Sequence, residues 1–79
     1  MRIDKFLKNA RIIKRRTIAK EACEQGRVLV NGKEAKPGTE VKIGDKIELN
    51  FGTNTVKIEV IEILEHVPKD KAQDLYRNL

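Results

Sequence analysis

The stretch Arg15-Arg16-Thr17-Ile18-Ala19-Lys20-Glu21-Ala22-Cys23-Glu24-Gln25-Gly26-Arg27-Val28-Leu29-Val30-Asn31-Gly32 carries a helix, its stop, a strand and a turn in direct succession. Ile18, Ala19, Ala22 and Cys23 recur at a spacing that puts them on one side of a helix running from about Thr17 to Gln25. Thr17 suits the N-cap, where its hydroxyl can accept from an orphan backbone N–H. Gly26 suits the left-handed residue that ends such a helix. The period then switches. Arg27 to Val30 is apolar and β-branched, and Asn31-Gly32 is a strong hairpin signal because both residues tolerate the positive φ of a type I′ turn.

Upstream, Ile3, Phe6, Leu7 and Ala10 fall at i, i+3, i+4 and i+7, one face of a helix of about two turns. Asp4 sits in its first turn, where negative charge suits the dipole. Arg2, Lys5 and Lys8, three residues apart, form a basic ridge. Asn9 and Ala10 end the helix, and Ile12 and Ile13 anchor the link to the next one, which completes an αα-hairpin. Downstream, Lys33-Glu34-Ala35 returns from the Asn31-Gly32 turn, and Pro37-Gly38 marks another turn. Glu40 to Ile43 alternates as a strand does. Gly44-Asp45 turns again. Lys46 to Phe51 alternates with Ile47, Leu49 and Phe51 on one face, and Thr55 to Val60 alternates after Gly52-Thr53-Asn54, with Ile61 to Leu64 extending that strand. After Pro68, Ala72, Leu75, Tyr76 and Leu79 return to helical spacing. The expected fold is α+β: a two-helix hairpin packed on a small, twisted antiparallel sheet of four or five short strands, followed by a short C-terminal helix or a tail. Residues 1–65 form the domain, and residues 66–79 the terminal helix or tail.

At 79 residues the chain supports one small core and leaves little room for an enzyme cleft. Charge is segregated. Residues 1–36 hold eleven basic and four acidic side chains, net +7, whereas residues 37–79 hold six and eight, net −2. A basic half on a small domain points to a polyanion. Arg15, Arg16 and Lys20 converge where α-helical N–H groups and the positive end of the dipole point, a setting for phosphate. With the two helices side by side, Arg2 and Lys5 join them along one surface, each arginine offering a planar fork to a phosphate. The competing reading of Arg16 is an ion pair with Asp4, and the two are compatible if Asp4 pre-orients an arginine that also grips phosphate. Lys8, Arg27 and Lys33 are possible flanking contacts, while Lys14 and Lys36 read as solvated.

Other chemistry finds little support. The single cysteine, Cys23, lies on an apolar stripe and reads as a buried small hydrophobe, so neither a disulfide framework nor a metal site is expected. A reducing, intracellular setting fits that usage. His66 is the only histidine and the chain has no serine. Glu48, Glu59, Glu62 and Glu65 read as a solvated sheet face, not as a catalytic pair. No Gly-rich nucleotide loop, signal peptide or membrane span is present. Phe6 and Phe51 belong to core stripes and Tyr76 to the tail, so stacking on single strands is disfavoured against phosphate and shape reading of folded RNA.

Four ordered blocks, Arg2-Ile3-Asp4-Lys5-Phe6-Leu7, Arg15-Arg16-Thr17-Ile18-Ala19, Gly26-Arg27-Val28-Leu29-Val30-Asn31-Gly32 and Gly44-Asp45-Lys46-Ile47, together resemble the S4-type RNA-binding domain. Length and the Arg15-Arg16-Thr17 block are similar to its small stand-alone members, the ribosome-associated quality-control P proteins (RqcP-like) and their relatives, the 15-kDa bacterial heat-shock proteins. The resemblance covers about residues 1–50. It implies a non-enzymatic bacterial cytoplasmic factor, without cofactor or metal, that binds rRNA and peptidyl-tRNA on obstructed large (50S) ribosomal subunits. There it would support C-terminal tailing of the stalled chain, beside other quality-control factors, away from membranes and as a monomer. It maps the RNA-facing arginines to Arg2 and Arg16, with Asp4, Lys5, Arg15 and Lys20 beside them. The lack of a long basic C-terminal extension favours the RqcP-like branch. Two alternatives are a helix-turn-helix DNA-binding regulator and a targeting module for a separate RNA-modifying enzyme. The first is weakened by the apolar residues that occupy much of the second helix, leaving few side chains to read bases. The second needs a partner chain to supply catalysis.

Overall fold

The computed structural model describes residues 1–79. Two helices, α1 (Ile3–Asn9) and α2 (Arg16–Glu24), precede β1 (Val28–Val30), β2 (Lys33–Glu34), β3 (Lys46–Phe51) and β4 (Asn54–Val60). A 3-10 helix (Lys69–Leu75) and β5 (Tyr76–Asn78) close the chain. All pairings are antiparallel, in the order β2-β1-β3-β4-β5. No helix is long and apolar enough to cross a membrane.

The register follows from the period-two pattern, which sends one set of side chains under the helices. Ile47 lies opposite Val30 on one side and Ile58 on the other, and Leu49 opposite Val28 and Val56. These residues meet Ile3, Phe6 and Leu7 of α1 and Ala19, Ala22 and Cys23 of α2 in one core. The outer sheet face carries cross-strand ion pairs, Lys57–Glu48 at 3.6 Å and Arg77–Glu59 at 2.8 Å.

Both helices end in the same backbone device. At the end of α1 the N–H of Arg11 donates to the Lys8 carbonyl and that of Ile12 to the Leu7 carbonyl, with Arg11 at φ +58°. At the end of α2 the N–H of Gly26 donates to Cys23 and that of Arg27 to Ala22, with Gly26 at φ +72°. These are Schellman caps. Glycine enters the left-handed region without steric cost, whereas an arginine does so against its Cβ.

Several expectations change. Arg15, not Thr17, is the N-cap residue of α2, in an extended conformation, and no side chain caps the helix. The Arg15 carbonyl already accepts from Ile18 and Ala19, which makes Thr17 the second helical residue. Ile18 is 47% exposed, because the buried face of α2 is centred on Ala19, Ala22 and Cys23 and Ile18 falls a quarter-turn to one side. Phe51 is also exposed, since β3 runs past its last β1 partner, Leu49, into the hairpin turn. Glu40 to Ile43 makes a single bridge with Arg2 and no strand. That bridge is closed by the Ile3 N–H to the Thr39 carbonyl and the Val41 N–H to the Met1 carbonyl, and beyond it the Lys42 N–H donates to the Asp45 carboxylate instead of to a strand.

Ile61 to Leu64 leaves the sheet, with Ile61 and Glu62 donating to the Leu75 carbonyl. The expected C-terminal helix is present as the 3-10 helix Lys69–Leu75, shorter than the spacing through Leu79 suggests. Ala72 and Leu75 are buried, a spacing that a 3-10 helix serves as well as an α-helix. Tyr76 then pairs with Val60 as part of the edge strand, and Leu79 is exposed.

Candidate nucleic-acid interface

Asp4 is the one buried charged residue, 2% exposed, in the first turn of α1. Its Oδ1 accepts from the backbone N–H of Lys5 at 2.8 Å. Both carboxylate oxygens then receive arginines from different directions. Arg2 donates through Nη2 to Oδ2 at 3.2 Å, and Arg16 through Nη2 to Oδ1 at 3.4 Å. The ion pair that competes with phosphate contact in the reading of Arg16 therefore exists, and it is shared.

The surrounding backbone explains why the two meet. Arg2 is the N-cap residue of α1, held extended by its bridge to Glu40, with the Met1 amino group on Glu40 at 2.7 Å. Arg16 opens α2, which packs against α1. The two side chains remain 51% and 46% exposed. Each spends one nitrogen on Asp4 and makes no other side-chain hydrogen bond with the rest of its five-donor fork. Two guanidiniums on one carboxylate leave a net charge of +1.

The remaining candidates divide. Arg15 and Lys20 are exposed beside Arg16, Lys20 one turn further along α2, and neither forms an ion pair. The amides of Arg16 and Thr17 have no backbone acceptor. Lys5 is not a free cation: it holds Glu65, whose carboxyl it keeps below the usual range through their hydrogen bond and charge. Lys8 is exposed, one turn beyond Asp4 on α1. Arg27 follows the opposite end of α2, roughly 13 Å of helix from Arg16. Lys33 lies on the edge strand β2. Neither joins the Arg2–Asp4–Arg16 cluster.

Cys23 is buried, and its thiol is pushed up to about 11, first by burial and then by Asp4 and Glu24. It is a poor nucleophile at neutral pH. His66 is exposed.

A family model described as the S4 domain matches residues 1–47, which span both helices, the first hairpin and the start of β3. The chain belongs to the S4 domain family. Among its relatives is a protein of Halalkalibacterium halodurans named RQC P-site tRNA stabilizing factor, 55% identical over 76 residues, covering 96% of this chain and 86% of that protein. The fold of this S4 domain is found in the trimeric structure of Vibrio cholerae Heat Shock Protein 15, at a TM-score of 0.92 and 38% identity, covering 100% of this chain and 81% of that one. It is also found in the solution structure of hypothetical protein HP1423, at a TM-score of 0.85 and 36% identity, covering 100% and 96%. The α+β expectation and the resemblance to the small stand-alone S4 proteins both hold.

Sequence reasoning missed two features. The pairing of Lys5 with Glu65 joins residues far apart in the chain, and no local pattern encodes it. Lys14 is exposed, as a solvated side chain should be, and so is Arg11. What no local pattern shows is that both border one concave surface with Lys8, and the spacing of basic residues at 8, 11 and 14 is the available signal.

Proposed function

We propose that this S4 domain is a non-enzymatic RNA-binding protein of ribosome-associated quality control. It acts in the bacterial cytoplasm as a single copy on an obstructed large subunit. Arg2 and Arg16, aligned by Asp4 and flanked by Arg15 and Lys20, grip phosphates of rRNA and of P-site tRNA. The grip steadies the tRNA while a C-terminal tail is added to the stalled chain. The observation that carries this reading is the shared carboxylate: one buried acid holds two half-exposed arginines that come from separate segments. A purely structural ion pair needs only one arginine. The name of the Halalkalibacterium relative supports the tRNA partner. Duplex-DNA reading by α2 is less favoured, because its exposed positions include Glu21 and Glu24.

Co-sedimentation with large subunits that retain peptidyl-tRNA tests the assignment. The parent should pellet with them at physiological salt, and Arg2→Ala and Arg16→Ala should each remain in the supernatant while keeping the parent circular dichroism spectrum. Both variants pelleting like the parent would remove these arginines from the interface.

A further inference from the structure

A second basic surface lies around the end of α1. An open groove of about 870 Å³ separates the last turn of α1 and its link from the segment at residues 65–68. Lys8, Arg11 and Lys14 border one side, and Glu65 and His66 the other. The two walls are fastened together, since the Asn9 side-chain amide donates to the Leu64 and Glu65 carbonyls at 3.2 and 3.4 Å.

The charges in the groove are uncompensated. Lys8, Arg11 and Lys14 pair with no carboxylate, and the only acid on its rim, Glu65, is occupied by Lys5. The end of a helix normally repels anions through its free carbonyls. Here the Phe6, Leu7 and Lys8 carbonyls are engaged by the N–H groups of residues 10 to 13. Arg11 sits at φ +58°, the cap position that glycine fills more easily and that Gly26 fills in α2. An arginine kept in that conformation places a cation on the groove rim at the expense of backbone comfort.

We propose that this groove is a second phosphodiester-binding site, taking a run of RNA backbone that continues from the Arg2–Asp4–Arg16 cluster. Lys8 connects the two, because it stands one turn from Asp4 on the same helix. The proposal rests on the RNA-binding reading above and extends it to a surface outside that cluster.

The test is fluorescence anisotropy of the full chain with a labelled structured rRNA fragment over a salt series, beside thermal melts. Arg11→Gly should melt no lower than the parent, because glycine relieves the left-handed backbone, yet bind RNA about fivefold more weakly. Lys8→Ala/Arg11→Gly/Lys14→Ala should flatten the salt dependence by roughly 0.7–0.9 log units per lost contact. A triple variant with the parent affinity and slope overturns the groove, even if Arg2→Ala and Arg16→Ala abolish binding. A parent that binds no RNA overturns the groove together with the functional reading. Unchanged RNA binding with lost binding to a poly-glutamate probe overturns it in favour of an acidic protein ligand.

Discussion

Replacing Asp4 by asparagine separates two effects that usually travel together, because it removes an acid from a basic surface without deleting a cation. The carboxylate is 2% exposed and accepts from Lys5 N–H, Arg2 and Arg16. Asparagine keeps the shape and the Lys5 hydrogen bond, loses the charge, and turns an NH2 toward one guanidinium. A hydrogen bond to a charged group contributes about 1.5–3 kcal/mol. Both arginines are half in water and can rehydrate, so the two losses do not add in full. The expected destabilisation is about 1–3 kcal/mol. For a domain of this size, that lowers the melting temperature by about 5–20 °C.

The effect on RNA affinity has two opposing parts. One more net positive charge, about 6 Å from a phosphate in water, gains roughly 0.7 kcal/mol before salt screening. Releasing two guanidiniums from fixed rotamers costs up to about 1.5–2 kcal/mol each when they must be ordered again on binding. Ordering outweighs charge, and binding should weaken by about tenfold. The number of phosphate contacts is unchanged, so the slope of log affinity against log salt should match that of the parent. Arg2→Ala, which deletes a contact, should lower that slope by roughly 0.7–0.9. Anisotropy with a structured rRNA fragment, run well below the melting temperature of each protein, reads both quantities. Asp4→Asn binding as tightly as the parent, or tighter, would refute the idea that Asp4 pre-aligns the arginines.

Two further expectations concern the frame. The Cys23 thiol, raised from 9.0 to about 11, favours its neutral form in the fold. Its contribution is therefore complete below pH 9 and fades as pH rises toward 11, a loss of roughly 1–3 kcal/mol. Urea titrations should show the parent losing more stability than Cys23→Ala across that window, and parallel losses would refute the burial argument. Leu75 is 0% exposed and packs in the main core. Leu75→Ala should cost about 2–5 kcal/mol in the same titrations, whereas a dispensable tail would leave the midpoint unmoved.

What was legible follows from how far each feature depends on neighbours in sequence. The apolar spacing of Ile3, Phe6 and Leu7 places them in the core, and the left-handed turns at Asn31-Gly32 and Gly26 follow from residue chemistry alone. Errors arose where backbone hydrogen bonds had two possible partners. Glu40 to Ile43 has the alternation of a strand, but Met1 takes the Val41 N–H in a single bridge and the turn at Asp45 takes the backbone groups of Lys42. Ala72 and Leu75 lie in a terminal helix as expected, but that helix stops at Leu75 because the vacant edge of β4 draws Tyr76–Asn78 into the sheet. Ile18 and Phe51 show that an apolar residue at the rim of a stripe is buried only if the opposing layer reaches it.

The proposed RNA-binding surface obeys the same distinction. Charge segregation selected the basic half, but not which cations are free within it. Lys5 and Arg16 look equivalent in sequence, and both are paired. Glu65 is exposed and acidic, so its pairing leaves no net charge at Lys5. Asp4 is buried and serves two arginines at once, so its pairing fixes geometry and still leaves a positive surplus. The ratio of cations to carboxylates at each contact, together with the burial of the acid, decides whether an ion pair cancels a binding surface or prepares one. That ratio is set by the packing of α1 on α2 and by the bridge that holds Arg2, neither of which a one-dimensional pattern contains.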